Sequence, residues 1–160
     1  MNYFSTALLI KVISAFIASI GFSIILKINR RHVFIGGVCG MITYVIYYTI
    51  VFFADSFFAA ALVSTAFTTL FSEILARVKK APTLVFILPG VIPTVPGGDL
   101  YRAMRCLILS DFTGAFENLL ITLEIGLGIA GGIVATSTLF GVCYDTFKKI
   151  KLSPKNKSES

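Results

Sequence analysis

Three carboxylates stand inside otherwise apolar sequence, at Glu73, Asp99 and Glu124, and Lys11 interrupts the first apolar run. An ionisable group at membrane depth is costly unless it is paired, reaches the interface or serves a solute or proton path. All three carboxylates are therefore candidates for proton coupling, Asp99 first. Asp99 closes the run Leu88-Pro-Gly-Val-Ile-Pro-Thr-Val-Pro-Gly-Gly-Asp-Leu-Tyr101, where helix breakers meet a charge. Pro89, Pro93 and Pro96 have no N–H, and each interior proline costs a helix about 3 kcal/mol. They predict a half-helix over Thr83 to Leu88, an unwound stretch, and a new helix starting near Asp99. Broken backbone survives in a bilayer only where protein covers it or water reaches it. Freed carbonyls there would face cations, and freed N–H groups at the start of the second helix would favour an anion such as a solute carboxylate. Gly97 and Gly98 would let other backbone approach closely. The candidate solute-contacting set is Pro89, Gly90, Pro93, Thr94, Pro96, Gly97, Gly98, Asp99 and Tyr101. The alternative is structural: Asp99 caps the second helix and the segment is a kink.

The other ionisable groups carry two readings each. Glu73 precedes Arg77 by one helical turn, which suits an ion pair at the interface. Thr65, Thr69 and Ser72 share its face, which suits a polar stripe entering a cavity. Glu124 lies at a depth close to that of Lys11, so a structural Lys11–Glu124 pair stands beside proton coupling. His32 follows Arg30 and Arg31 and reads as a solvated loop residue. Cys39, Cys106 and Cys143 are odd in number and widely spaced, which suggests neither a disulfide framework nor a zinc quartet. No nucleophile–base pair, catalytic carboxylate pair or His/Cys ligand set is visible, so an enzyme is the weakest hypothesis, and no metal or cofactor is expected.

The elements that must hold these residues follow from composition. With 56% hydrophobic and 14% charged residues and a mean hydropathy of +0.89, the chain is an all-α integral membrane protein. The net charge of +6 collects between and after the apolar runs rather than on one polar face, which argues against nucleic acid. Phe4 to Leu26 has the length of a span, about 20 residues, and with Lys11 inside it and no basic residue before it fits a cleaved leader poorly. Val33 to Phe53 and Phe57 to Ala76 form a tight hairpin around Ala54-Asp55-Ser56. Pro82 to Pro96 is a short, broken fourth crossing, with a re-entrant loop as the alternative. An amphipathic, interfacial helix follows, with Leu100, Ala103, Met104, Leu107 and Ile108 on one side and Arg102 and Arg105 on the other. Asp111 or Thr113 caps the fifth span, Leu119 to Cys143. The transmembrane unit is residues 1–147, and 148–160 form a polar basic tail unable to fold alone.

Five crossings place every large Lys/Arg cluster on one side, with the N-terminus outside and the C-terminus cytoplasmic. Gly36-x-x-x-Gly40 and Gly128-x-x-x-Gly132, beside Gly131, predict close helix packing. Tyr44, Tyr47, Tyr48, Phe52, Phe53, Phe57 and Phe58 predict an aromatic belt.

The run from Leu88 to Tyr101, the following Arg102-Ala-Met and the glycine-rich last span resemble the C-terminal membrane half of the threonine/serine exporter family. The resemblance covers almost the whole chain, and the proline-glycine signature carries most of its specificity. In that family the halves are fused or split, and this chain is similar to the short split subunit. The resemblance implies proton-driven secondary export of threonine and serine, or for some split pairs of succinate-like dicarboxylates. It also implies a larger membrane subunit as partner and a place in the bacterial inner membrane. The alternative function is an accessory subunit that stabilises a larger partner without forming the solute path.

Overall fold

A computed structural model describes residues 2–152, and among them only helices occur. The elements are α1 (Asn2–Ile25), α2 (Arg30–Ala54), α3 (Phe57–Lys79), α4 (Leu84–Val91), a 3-10 turn (Ile92–Thr94), α5 (Gly97–Ile108) and α6 (Phe112–Leu152). Four helices are long and apolar enough to cross a membrane, and a fifth crossing results if the bent pair Leu84–Thr94 and Gly97–Ile108 counts as one span. The all-α membrane class expected from composition is the class found. α6 runs through Leu152, into the segment expected to be unstructured tail, and residues 153–160 lie outside the described residues.

Local chemistry sets the helix ends. Ser56 and Asn29 accept backbone N–H bonds from Ala59 and Arg31, both at 3.3 Å, and so cap α3 and α2. Asp111, one of the two residues expected to cap α6, accepts from the Gly114 N–H at 3.0 Å. Lys27, Lys80 and Ser110 adopt left-handed φ of 54°, 52° and 59°. The residue after each donates to a carbonyl five positions back, Ile28 to Ser23, Ala81 to Ala76 and Asp111 to Cys106. This motif satisfies carbonyls that would otherwise be left bare at the helix ends.

The interior is built from small and hydroxyl side chains. Ala60, Ala61, Ser64, Thr65, Thr68, Thr69, Ser72 and Ala76 of α3 are all buried. Phe86, Ile87, Val91 and Ile125 are buried, but many of the large apolar side chains face outward: Phe53 is 81% exposed and Ile108 82%. In water such a surface would aggregate. In lipid, which is as apolar as leucine, the helices gain instead from close approach and interhelical hydrogen bonds. α3 packs most extensively on α6, α1 on α2, and α4 is inserted against α2, α3 and α1, while α5 lies on α6. The Thr hydroxyls are used at once, because Thr43 bonds the Cys39 carbonyl at 2.8 Å and Thr68 at 2.5 Å, joining α2 to α3. Thr68→Val is expected to cost about 1 kcal/mol, and a double-mutant cycle with Thr43→Val should show coupling of about 0.6–1.7 kcal/mol. Unfolding in detergent micelles measures it; independent, additive losses would mean the two hydroxyls do not meet.

Three expectations about the broken segment are corrected. Helix α4 does not end at Leu88 but continues through Pro89 and Gly90 to Val91. Packing overrides the proline: a Cβ on Gly36 would meet Pro89 Cγ at 3.0 Å, and one on Gly90 would meet Thr68 Cγ2 at 2.5 Å. The break falls at Val95 and Pro96. Val95 is extended, at φ −65° and ψ 128°, as the residue before a proline is pushed to be, and the helices on either side meet at 48°. No described part of this chain approaches Gly97 or Gly98, since a Cβ on either would meet nothing within 4 Å. Finally, α4 and the 3-10 turn advance only roughly 18 Å against a hydrocarbon core of about 30 Å. A complete fourth crossing therefore needs α5 as its second limb. Consistent with that, α5 turns Ala103 inward while Leu100, Met104, Leu107 and Ile108 face outward.

Candidate functional site

A cleft of about 310 Å³ opens beside the broken helix, walled by Ile10, Lys11, Ser14, Ala18, Tyr44 and Pro93 among others. Lys11 and Tyr44 each lie roughly 21 Å along their helices from the turn joining α1 to α2, so they meet at one level. The face that α1 presents here, Lys11, Ser14, Ala15 and Ala18, recurs at helical spacing. Ser14 spends its hydroxyl on the Ile10 carbonyl at 2.8 Å. The Lys11 ammonium lies 5.3 Å from the centre of the Tyr48 ring, and Tyr48 stacks on Tyr44 at 6.4 Å. A cation over an aromatic face gains about 0.5–1 kcal/mol where solvent reaches it. That is less than the roughly 2.5–3.5 kcal/mol that an insertion scale assigns a lysine at the centre of a span. The expected Lys11–Glu124 pair does not form. Glu124 is exposed on α6, a helix that α1 does not pack against, and no carboxylate pairs with Lys11 among the described residues.

The candidate residues of the broken segment are not all brought to this cleft. Pro93 lines it. Pro89 and Gly90 are buried in the seat on α2 and α3, and Thr94 is buried with its hydroxyl on the Val91 carbonyl at 2.7 Å. Pro96 stands at the start of α5, where no side chain caps the helix, so Asp99 is not the cap. Asp99 lies instead in the first turn of α5, near the positive end of the helix dipole, and takes the Arg102 guanidinium at 3.3 Å. Gly97, Gly98 and Tyr101 are exposed, Tyr101 by 68%.

The remaining ionisable groups resolve into structural partners or open faces. Glu73 pairs with Arg77 at 3.6 Å, and Arg77 lies over the rings of Phe140 and Tyr144, at 4.6 and 3.7 Å, which ties α3 to α6. Thr65, Thr69 and Ser72 are buried in the helix interface. His32 is not in a loop: it lies in the first turn of α2, its ring edge-on to Phe86 at 5.3 Å. Among the described residues no group of His, Cys, Asp and Glu is placed to hold a metal ion. Lys11, Ser14 and Tyr44 were absent from the sequence-derived site. The signal for them was a lysine inside an apolar run, at helical spacing from Ser14 and two alanines.

The glycine faces are seats for neighbouring backbone. A Cβ on Gly40 would collide with the Ser19 hydroxyl and come within 3.0 Å of the Pro89 carbonyl oxygen. A Cβ on Gly128 or Gly132 would lie 2.7 Å from the carbonyl oxygens of Phe58 or Leu62. Close approach of this kind holds the broken helix and α6 in place around α3.

Comparison with known proteins agrees with the family resemblance. A family model described as threonine/serine exporter, ThrE, matches residues 11–139. The chain is 27% identical over 135 residues to a threonine/serine exporter of Corynebacterium glutamicum, an alignment that covers 83% of this chain and 27% of that protein. The chain thus spans about a quarter of the length of this relative. No solved structure matches it. With the family model reaching into all four long helices and spanning the broken segment, the chain belongs to the threonine/serine exporter family.

Proposed function

We propose that this chain is one subunit of a two-component secondary exporter of small carboxylate-bearing metabolites, threonine and serine first and succinate-like dicarboxylates second. The observation that carries the proposal is the Lys11 cleft, a cationic recess between the apolar helix α1, Tyr44 of α2 and Pro93 of the 3-10 turn that leads into the break. The relative in Corynebacterium glutamicum is about four times longer than the matched segment, which supports a larger membrane subunit supplying the rest of the path. Proton coupling is assigned to Asp99 before Glu124 or Glu73. The basic residues that follow α1 and α3 and end α6 support a plasma-membrane topology with the N-terminus outside and the C-terminus in the cytoplasm, provided α4 and α5 together cross once.

Efflux of labelled threonine and succinate from proteoliposomes tests this, with the chain and its larger partner together and each alone. Flux that needs both subunits and collapses with the proton gradient is the expected result. Undiminished flux from the partner alone would make the chain an accessory subunit and its broken helix a structural device.

A further inference from the structure

We propose that Lys11 is the receptor for the carboxylate of the transported solute, held in the cleft between α1, Tyr44 and Pro93. The inference deepens the exporter reading and rests on it for the identity of the solute, but its chemistry comes from the cleft. Lys11 shares the cleft with Pro93 of the 3-10 turn, and among the described residues the neighbour of complementary character that its ammonium meets is the face of Tyr48, one turn beyond Tyr44. A ring face attracts the charge but accepts none of its three N–H donors well. An oxygen anion would satisfy both needs, and a carboxylate does so with charge-assisted hydrogen bonds. The rest of the lining, with Ile10, Ala18, Pro93 and Tyr44, is mainly aliphatic and aromatic and among the described residues offers the ammonium no second charge. At about 310 Å³ the cleft is at the small end of ligand pockets, which run to roughly 1,000 Å³. It suits a metabolite of a few carbons.

Among the described residues the cleft lining carries a cation and no anion. This chain therefore recognises the carboxylate end alone and leaves the ammonium of an amino acid to other groups. Threonine and succinate should compete for one lysine, and threoninamide, which keeps the ammonium and loses the negative charge, should not. Ser14 and Ala18 keep the α1 wall low enough for a ligand to lie along it. A large residue at Ala18 would fill the space without touching the charge.

The test uses the chain together with its larger partner. Chemical modification of Lys11 by trinitrobenzenesulfonate, followed on the Lys11 peptide by mass spectrometry, should slow about tenfold in saturating threonine or succinate and stay unchanged in threoninamide. In transport, Lys11→Met should raise the half-saturating threonine concentration at least about tenfold with maximal rate largely kept, whereas Lys11→Arg should stay within about threefold of the parent. Ala18→Phe should weaken both carboxylates while leaving Lys11 open to the reagent. Equal protection by threoninamide, or an unchanged half-saturating concentration in Lys11→Met, overturns the inference. The two proposals fail separately. Carboxylate protection with no flux from the parent complex defeats the exporter and leaves the receptor standing; flux without protection defeats the receptor alone.

Discussion

Replacing Gly128 and Gly132 together by alanine is expected to force α6 off α3 and leave little folded chain in the membrane. The new Cβ at Gly128 would lie 2.7 Å from the Phe58 carbonyl oxygen and 2.8 Å from Ala61 Cβ. At Gly132 it would lie 2.7 Å from both the Leu62 carbonyl oxygen and Thr65 Oγ1. Backbone atoms cannot rotate aside as a long side chain can, so the helices must separate. Overpacking costs about 1–3 kcal/mol per site. The two sites are one turn apart on the same seam, the most extensive in the fold, so the losses couple. Several kcal/mol is a large part of the roughly 5–15 kcal/mol that holds a domain folded. The sign is diagnostic, because alanine is the better helix former by about 1 kcal/mol and would stabilise an open face. Gly126→Ala and Gly141→Ala test that side, since a Cβ on either meets nothing within 4 Å. They should keep or slightly raise the melting temperature in detergent, while the double variant should lose its monodisperse species. A double variant that melts with the parent would mean that α3 and α6 do not meet along this seam.

What the sequence made legible, and what it hid, divides along one physical line. Crossing segments are a matter of local composition, since lipid demands about 20 apolar residues in a row, and so are the ends of helices. Asp55 in the left-handed region and Ser56 as cap mark the tight hairpin where it was expected. Asp111 caps α6 for the same local reason. The Glu73–Arg77 pair is one turn long and therefore visible.

The misplaced features all depend on which helices meet and along which faces. Lys11 and Glu124 share a depth, but α1 and α6 are not neighbours, so depth alone suggested a pair that does not exist. Lipid is as apolar as a protein core, so hydropathy could not tell which side of α5 faces α6 and which faces away. The unwinding was placed at the first proline because its cost is local, whereas the groove at Gly36 and Gly40 that accepts Pro89 lies about fifty residues upstream. The same distance hides the cleft. Tyr44 meets Lys11 through the packing of α1 on α2 and Pro93 only once α4 is seated, so the residues that wall the cleft come from three separate helical elements.

Asp99→Asn is expected to reduce proton-driven efflux to background, a loss of tenfold or more, while leaving the fold in place. The substitution keeps the shape of the side chain and its position in the first turn of α5, so what it removes is charge and the capacity to bind and release a proton. The structural losses are small. The ion pair with Arg102 is partly open, with Arg102 68% and Asp99 26% exposed, and pairs that water reaches are worth about 0–1 kcal/mol. A carboxylate near a helix N-terminus adds about 0.3–1 kcal/mol. Together these would not unfold the chain, so lost efflux from an intact complex reports on mechanism. Coupling and solute recognition then separate cleanly. Solute-for-solute exchange needs no net proton movement and should persist in Asp99→Asn, whereas Lys11→Met should weaken exchange and driven efflux alike at limiting solute. Arg102→Gln supplies the control, because it removes the partner and leaves the carboxylate; it should retain driven efflux within a few fold. Driven efflux that survives Asp99→Asn would transfer the proton role to Glu124, whose carboxylate is exposed on α6 with no ion-pair partner among the described residues, in preference to Glu73, which Arg77 already holds.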